Sequence, residues 1–170
     1  MKTIYTSDQL AITIKRLAHQ VLENHIDLEN TVLIGMQPRG IYISDRIVEE
    51  IKNELGPEKV HYGKLDITFY RDDVRQGLHV ANKTDIPFSI EGKKVVLIDD
   101  VLYTGRTIRA ALDALLDFGR PEKVELCILV DRRYNRQLPI QPDYVGKYLD
   151  TITSQKVKVL PDKNEVVIYD

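Results

Sequence analysis

The stretch that decides the fold is K-K-V-V-L-I-D-D-V-L-Y-T-G-R-T, Lys93 to Thr107. An apolar run, Val95 to Ile98, ends in two adjacent carboxylates, Asp99 and Asp100. After a short apolar spacer comes Thr104-Gly105-Arg106-Thr107, and Ile108, Ala111, Leu112 and Leu115 then recur at helical spacing. The pattern predicts a buried strand, a tight loop and a helix N-terminus. In open α/β sheets ligands gather at the carboxyl ends of strands. A glycine-containing loop entering a helix offers free backbone N–H groups and the positive end of the helix dipole, which suits a phosphate. Gly105 lets the backbone approach closely, and the hydroxyls of Thr104 and Thr107 add donors. The paired carboxylates need hydroxyls, or a divalent cation shared with the ligand's oxygens. Phosphate beside diol beside metal describes a phosphorylated ribose. Asp-Asp alone would read as an ordinary strand–loop–helix; the string as a whole argues for a site. It has neither the spacing of a P-loop nor that of a dinucleotide fold.

The stretch resembles the 5-phosphoribosyl-1-pyrophosphate (PRPP) motif of type I phosphoribosyltransferases. D-D-V-L-Y-T-G-R-T is similar to the PyrR branch, whose members combine uracil phosphoribosyltransferase activity with RNA-binding control of pyrimidine genes. The resemblance runs over nearly the whole chain. It implies an α/β protein of the type I phosphoribosyltransferase fold, with a central, mostly parallel sheet flanked by helices and a small C-terminal hood. One domain would span 1–170, with a flexible lid over about 72–87 and the hood over about 138–155. PRPP would be held by Pro38, Arg39 and Gly40 and by Asp99, Asp100, Val101, Leu102, Tyr103, Thr104, Gly105, Arg106 and Thr107. Mg²⁺ would accompany PRPP at Asp99 and Asp100, directly, through water or through the ribose diol. Arg39, Arg71, Asp99 and Asp100 would carry catalysis.

Composition fits this. The chain has 170 residues, enough for a full core, and at 43% hydrophobic and 29% charged it is globular rather than disordered. No apolar run approaches the ~20 residues of a membrane span, and no signal-peptide pattern opens the chain. The single cysteine, Cys127, lies in an apolar run and reads as a small core residue. A cytoplasmic protein is expected, with no membrane partner. A net charge of −2 excludes a chain built as a whole to coat nucleic acid, though not a local basic face.

Residues 8–24 predict an amphipathic helix with Leu10, Ile14, Leu17, Ala18 and Val21 inward. In PyrR proteins basic residues here form part of an RNA-binding face, which Lys15, Arg16 and His19, with Lys147, are compatible with. Gln141 stands where a PyrR arginine is common and Asn24 replaces another basic residue, so weak or altered RNA binding is expected. Thr31–Gly35 predicts a strand and the segment to about Leu55 a helix, joined by Met36-Gln37-Pro38-Arg39-Gly40. By resemblance this is the pyrophosphate loop, with Gln37-Pro38 where Lys-Thr is usual. A cis Gln37–Pro38 bond is expected, since a cis bond is far cheaper before proline.

Residues 60–71 predict a long strand, with Leu65, Ile67 and Phe69 on one side and Lys64, Asp66, Thr68 and Tyr70 on the other. The lid follows, with Asp72, Asp73, Arg75, Gly77, His79, Asn82 and Lys83. Val124–Val130 predicts another buried strand, giving successive strand–helix units and a parallel sheet. L-P-I-Q-P-D-Y-V-G-K from Leu138 resembles the base-binding hood, with Tyr144 and Val145 holding the base. Lys156–Leu160 and Glu165–Tyr169 predict a terminal hairpin of structural role.

The reaction implied is uracil plus PRPP giving UMP and pyrophosphate. Purine-using relatives often carry a carboxylate where Tyr103 stands. Tyrosine, with a reference pKa of about 10, is a poor base, and Tyr103 therefore favours a pyrimidine. Implied partners are PRPP, uracil, UMP or UTP, a leader mRNA and a second copy of the chain, as at least a dimer. The alternatives are a nucleotide-sensing RNA-binding regulator with little catalysis and a purine phosphoribosyltransferase.

Overall fold

The computed structural model describes residues 1–70 and 83–170, apart from the side chain of Phe69. Helix α1 (Ser7–Asn24) starts from a capping box. The Thr6 hydroxyl accepts from the Gln9 N–H, and the Gln9 side chain accepts from the Thr6 N–H. Its buried face is the anticipated stripe plus Thr13. Strands β2 (Thr31–Gln37), β3 (Tyr62–Asp66), β4 (Lys94–Leu102), β5 (Lys123–Arg133) and β6 (Tyr144–Asp150) form a sheet in the order β3-β2-β4-β5-β6. Every neighbouring pair is parallel.

The central strands are buried on both faces, as parallel sheets require. Along β4, Val96 and Ile98 join the core formed with α1 and α2 (Ile41–Leu55), while Val95 and Leu97 join the core on the side of α3 (Arg106–Leu115). Cys127 is fully buried, and burial pushes its thiol up to about 12. Among the described residues no helix is long and apolar enough to cross a membrane.

A second sheet of three antiparallel strands is built from both ends of the chain: β1 (Lys2–Tyr5), β8 (Glu165–Tyr169) and β7 (Lys156–Leu160), in that order. Ile4, Tyr5, Val159, Val166 and Ile168 bury it against the α1/α2 side.

Three expectations need correction. The long strand over 60–71 stops at Asp66, because Asp66 Oδ1 accepts from the Thr68 N–H (3.0 Å) and hydroxyl (2.7 Å) and turns the chain into a 3-10 turn over Thr68–Tyr70. Leu65, Asp66 and Ile67 are all buried, so the alternation fails there. The end of the expected lid is fastened down: Lys64 and Asp85 exchange two backbone hydrogen bonds of 2.8 Å, and Gln37 Nε2 donates to the Lys83 carbonyl. Arg71, Asp72, Asp73, Arg75, Gly77, His79 and Asn82 lie outside the described residues. Finally, the segment expected as a hood contains β6, a full member of the parallel sheet, and the strands that reach the cavity at the carboxyl ends are β7 and, through Tyr169, β8.

Candidate active site

β4 delivers Asp99 and Asp100 to the carboxyl end of the sheet, 6% and 7% exposed. One oxygen of each is occupied locally. Asp99 Oδ1 accepts from the Asp100 N–H at 2.9 Å and Asp100 Oδ1 from the Val101 N–H at 2.7 Å. Beyond these, the two side chains share a hydrogen bond with each other, and no further described donor reaches either carboxyl. Burial, and then the neighbouring Asp100 charge, push the Asp99 carboxyl well above its ordinary value, with the Asp100 N–H and Arg39 opposing. Such a pair favours incoming hydroxyl donors or a cation. No cluster of three metal-ligating side chains exists among the described residues.

Gly40 packs directly on Asp99. A Cβ there would lie 2.6 Å from Asp99 Oδ1 and 2.7 Å from the Met36 carbonyl, too close for any side chain. The Gln37–Pro38 bond before it is cis, as the sequence leads one to expect. The Gly40 carbonyl accepts from the Ser44 N–H, so this loop runs straight into α2.

Gly105 caps α3 with φ +92°, a conformation that favours glycine. Thr104 Oγ1 accepts from the Arg106 N–H at 3.3 Å. The connection after β5 clamps this loop from outside. The N–H groups of Gln137 and Leu138 donate to the Thr104 carbonyl, Arg106 Nε donates to Gln137 Oε1 at 2.7 Å, and Arg136 bridges the Tyr103 carbonyl and Asp131 Oδ1 at 2.6 Å each. Arg136 and Gln137 thus brace the loop, and the sequence reading does not single them out.

Between these loops and β7 lies a cavity of about 970 Å³. Pro38, Arg39 and every residue from Asp99 to Thr107 line one side; Lys156, Val157, Lys158 and Val159 line the other. The hairpin expected to be structural is therefore a wall of the site. Arg132, also missed, completes that wall. Its guanidinium lies 3.8 Å from the centre of the Tyr103 ring. Burial draws its pKa below the ordinary value, with Tyr103 opposing. The signal in the sequence was the polar Asp131-Arg132 at the end of an apolar strand, the place where sites form in such sheets.

Tyr144 and Val145 need correction as base-binding residues. They open β6 at the amino end of the sheet and do not line the cavity. Tyr144 is 4% exposed, and its hydroxyl donates to Glu125 and accepts from Asn24. Register decides this: Tyr144 pairs with Cys127, early in β5, whereas the site lies near Asp131. The Val145 carbonyl is taken by Arg16.

The expected RNA-binding residues do share a surface. Lys15, Arg16 and His19 are exposed on α1, and Arg16 reaches the carbonyls of Val145 (3.1 Å) and Gly146 (2.5 Å), next to Lys147. Lys147 Nζ donates to the Ile4 carbonyl and lies 4.9 Å from the Tyr5 ring centre. His19 stands 3.7 Å from Glu54.

With this geometry in view, comparison with known proteins is informative. The family model of the phosphoribosyl transferase domain matches residues 1–163. The bifunctional protein PyrR of Elusimicrobium minutum is 51% identical over 161 residues, covering 93% of this chain and 88% of that one. Its counterpart in Bacillus mycoides is 44% identical over 180 residues, covering 99% and 98%. Among solved structures, the hypoxanthine phosphoribosyl transferase of Trypanosoma cruzi superposes with a TM-score of 0.74 at 17% identity, covering 100% of this chain and 91% of that one. At that identity the likeness speaks for the fold alone.

Proposed function

The chain belongs to the phosphoribosyltransferase family and, within it, to the PyrR proteins, and from that premise we propose that it transfers the phosphoribosyl group of PRPP to uracil, giving UMP and pyrophosphate. The observation that carries this reading is the single cavity on which an anion loop, a second glycine loop and a buried carboxylate pair converge.

The backbone and hydroxyls from Thr104 to Thr107 hold the 5′-phosphate at the start of α3, where free N–H groups and the helix dipole favour an anion. Arg39 and the amides beside Gly40 hold the pyrophosphate. Asp99 and Asp100 accept from the ribose hydroxyls through their open oxygens. Asp99 and Asp100 would hold Mg²⁺ brought in with PRPP, and the ion would supply positive charge toward the pyrophosphate. As the bond at the anomeric carbon breaks, positive charge grows on the ribose and negative charge on the leaving group. The two buried carboxylates lie on the ribose side and Arg39 on the pyrophosphate side, so each charge develops against its complement. Arg71 would add to the second. The base occupies the remaining space, beside Tyr103 and the Lys156–Val159 strand. Catalysis is positioning and electrostatics, without a protein nucleophile.

The test is pyrophosphate release from PRPP and Mg²⁺ with uracil, hypoxanthine or guanine supplied separately. Release with uracil alone supports the reading, and release with a purine alone replaces it.

A second activity is supported by the cationic surface of α1 and β6 and by the word bifunctional in the relatives' name. On this reading Lys15, Arg16, His19 and Lys147 contact a leader-RNA backbone, in a protein that acts as at least a dimer. With Gln141 and Asn24 uncharged, few phosphates are neutralised, and the salt dependence of binding is shallow. Filter binding across a salt series, with and without UMP, measures it. Tight binding with a steep slope would refute the weak-binding part.

A further inference from the structure

The entry to the pyrophosphate loop is held by an indirect route. β2 pairs with β4 as far as Gly35, opposite Ile98, and with β3 two residues further, to Gln37 opposite Asp66. Past Gly35 the chain has therefore left β4 and depends on β3, an edge strand of the sheet. That edge is propped from outside by residues 83–85. Lys64 and Asp85 exchange two backbone hydrogen bonds of 2.8 Å, and the Asp66 N–H donates to Thr84 Oγ1 at 3.0 Å. The Gln37 side chain crosses this edge, and its Nε2 donates to the Lys83 carbonyl at 2.9 Å. The rung of Gln37 with Asp66 thus ties the start of the Pro38-Arg39-Gly40 loop to a segment 46 residues further along the chain.

This rung borders the site. A cavity of about 90 Å³ is lined by Gln37 and Asp66 together with Pro38, Arg39, Asp99 and Asp100, and the last four also line the larger cavity. At the far end of the loop Gly40 packs on Asp99, and its carbonyl accepts from the Ser44 N–H. At the near end Pro38 has no N–H to offer, and the fastening is the Gln37 amide. We propose that Gln37 is a positioning residue for phosphoribosyl transfer: anchored on the Lys83 carbonyl, it sets where Arg39 and the backbone N–H groups beside Gly40 meet the pyrophosphate. The proposal rests on the PRPP reading of the site. Losing one neutral hydrogen bond changes an equilibrium by about 5-fold, and misplacing a positioned group by about 1 Å can cost ~100-fold in rate. An effect between these limits is expected. It should also be selective, since UMP carries a 5′-phosphate and no pyrophosphate.

The experiment measures affinity for pyrophosphate with Mg²⁺, for PRPP and for UMP by calorimetry, and kcat/KM for PRPP, in the full chain and in Gln37→Met, Gln37→Asn and Thr84→Val. Methionine keeps the length without a donor; asparagine keeps the amide but is one methylene short of Lys83. Both are expected to weaken pyrophosphate and PRPP by about 10-fold and to leave UMP within about 2-fold. Thr84→Val removes the hydroxyl that holds residues 83–85 on Asp66, and about a 3-fold loss for pyrophosphate is expected. Combined with Gln37→Met it should add less than about 2-fold, because both act through one segment. Equal losses for all three ligands, or no loss in Gln37→Met, would overturn the proposal. Full affinity for pyrophosphate in Gln37→Asn would do the same, since the amide would then act without reaching Lys83. Should Gln37→Met fail to fold, Gln37→Asn and Thr84→Val carry the same comparison between pyrophosphate and UMP. If the unsubstituted protein binds PRPP but makes no UMP, the transferase reading fails and the binding comparison still judges Gln37. If it makes UMP and the variants match it, only the role of Gln37 fails.

Discussion

The two ends of the parallel sheet both bury charge and do opposite things with it. At the amino ends of β2, β5 and β6, His25, Thr31, Glu125 and Tyr144 form a closed cluster, each less than 9% exposed. Glu125 accepts from His25 Nε2 and from the Tyr144 hydroxyl (3.0 Å), Thr31 Oγ1 lies 3.0 Å from His25 Nδ1, and Asn24 donates to Tyr144. Burial foremost raises the Tyr144 phenol above its ordinary value. At the carboxyl ends, Asp99 and Asp100 stand side by side with an oxygen each left open, next to a cavity. Buried polar groups that satisfy one another hold a fold together; buried charges left unsatisfied toward a cavity await a ligand.

Substitutions at the two ends should therefore separate activity from stability. The largest effect is expected from Asp100→Asn, at about 10³-fold in kcat/KM, or ~4 kcal/mol, with little change in melting temperature. Asp99→Asn adds a sign. A buried carboxyl held above its ordinary pKa binds its proton more tightly when folded, so the native protein loses stability as pH rises from the unfolded value toward the folded one. Asp99→Asn removes that loss. Its melting temperature should match the unsubstituted protein near pH 4 and exceed it increasingly toward pH 8, while activity collapses. A melting-temperature difference that shrinks with pH would contradict this.

At the other end, Glu125→Ala strands His25 and Tyr144 without their acceptor. A cost of about 3 kcal/mol, or roughly 10 °C in melting temperature, is expected, with kcat/KM per folded molecule within about 2-fold. Activity lost without stability would break the comparison. A smaller effect at the site is expected from Gly40→Ala. Its Cβ must displace Asp99 or the Met36 carbonyl, so KM for PRPP should rise about 30-fold, or ~2 kcal/mol, with the base affinity less affected. Tyr144→Phe is the smallest, about 1 kcal/mol of stability by denaturant titration and no change in the preference among bases. A change in base preference would restore Tyr144 to the base site.

How much of this was legible depended on whether a feature is contiguous. Both glycine loops, the carboxylate pair and the cis Gln37–Pro38 bond lie in short strings, because a strand, its loop and the next helix build an anion site from neighbouring residues. The far wall of the cavity could not be found that way. It comes from the end of β5 and from a strand near the C-terminus that pairs into a sheet with the N-terminus. Tyr144 was misread for the same reason. An aromatic followed by a small apolar residue fits a base clamp or a core strand equally well, and only parallel pairing with β5 puts it against Glu125, at the far end of the sheet.

Sequence by itself determined the α/β architecture, the two glycine-bearing strand–loop–helix turns and the family, since burial periodicity and glycine geometry act over a few residues. Tertiary structure alone decided which charges are satisfied and which stay open, that Arg132 faces the cavity, and that the terminal hairpin walls it. Those outcomes depend on strand order and register, which bring residues far apart in the chain within hydrogen-bonding reach and which no local pattern encodes.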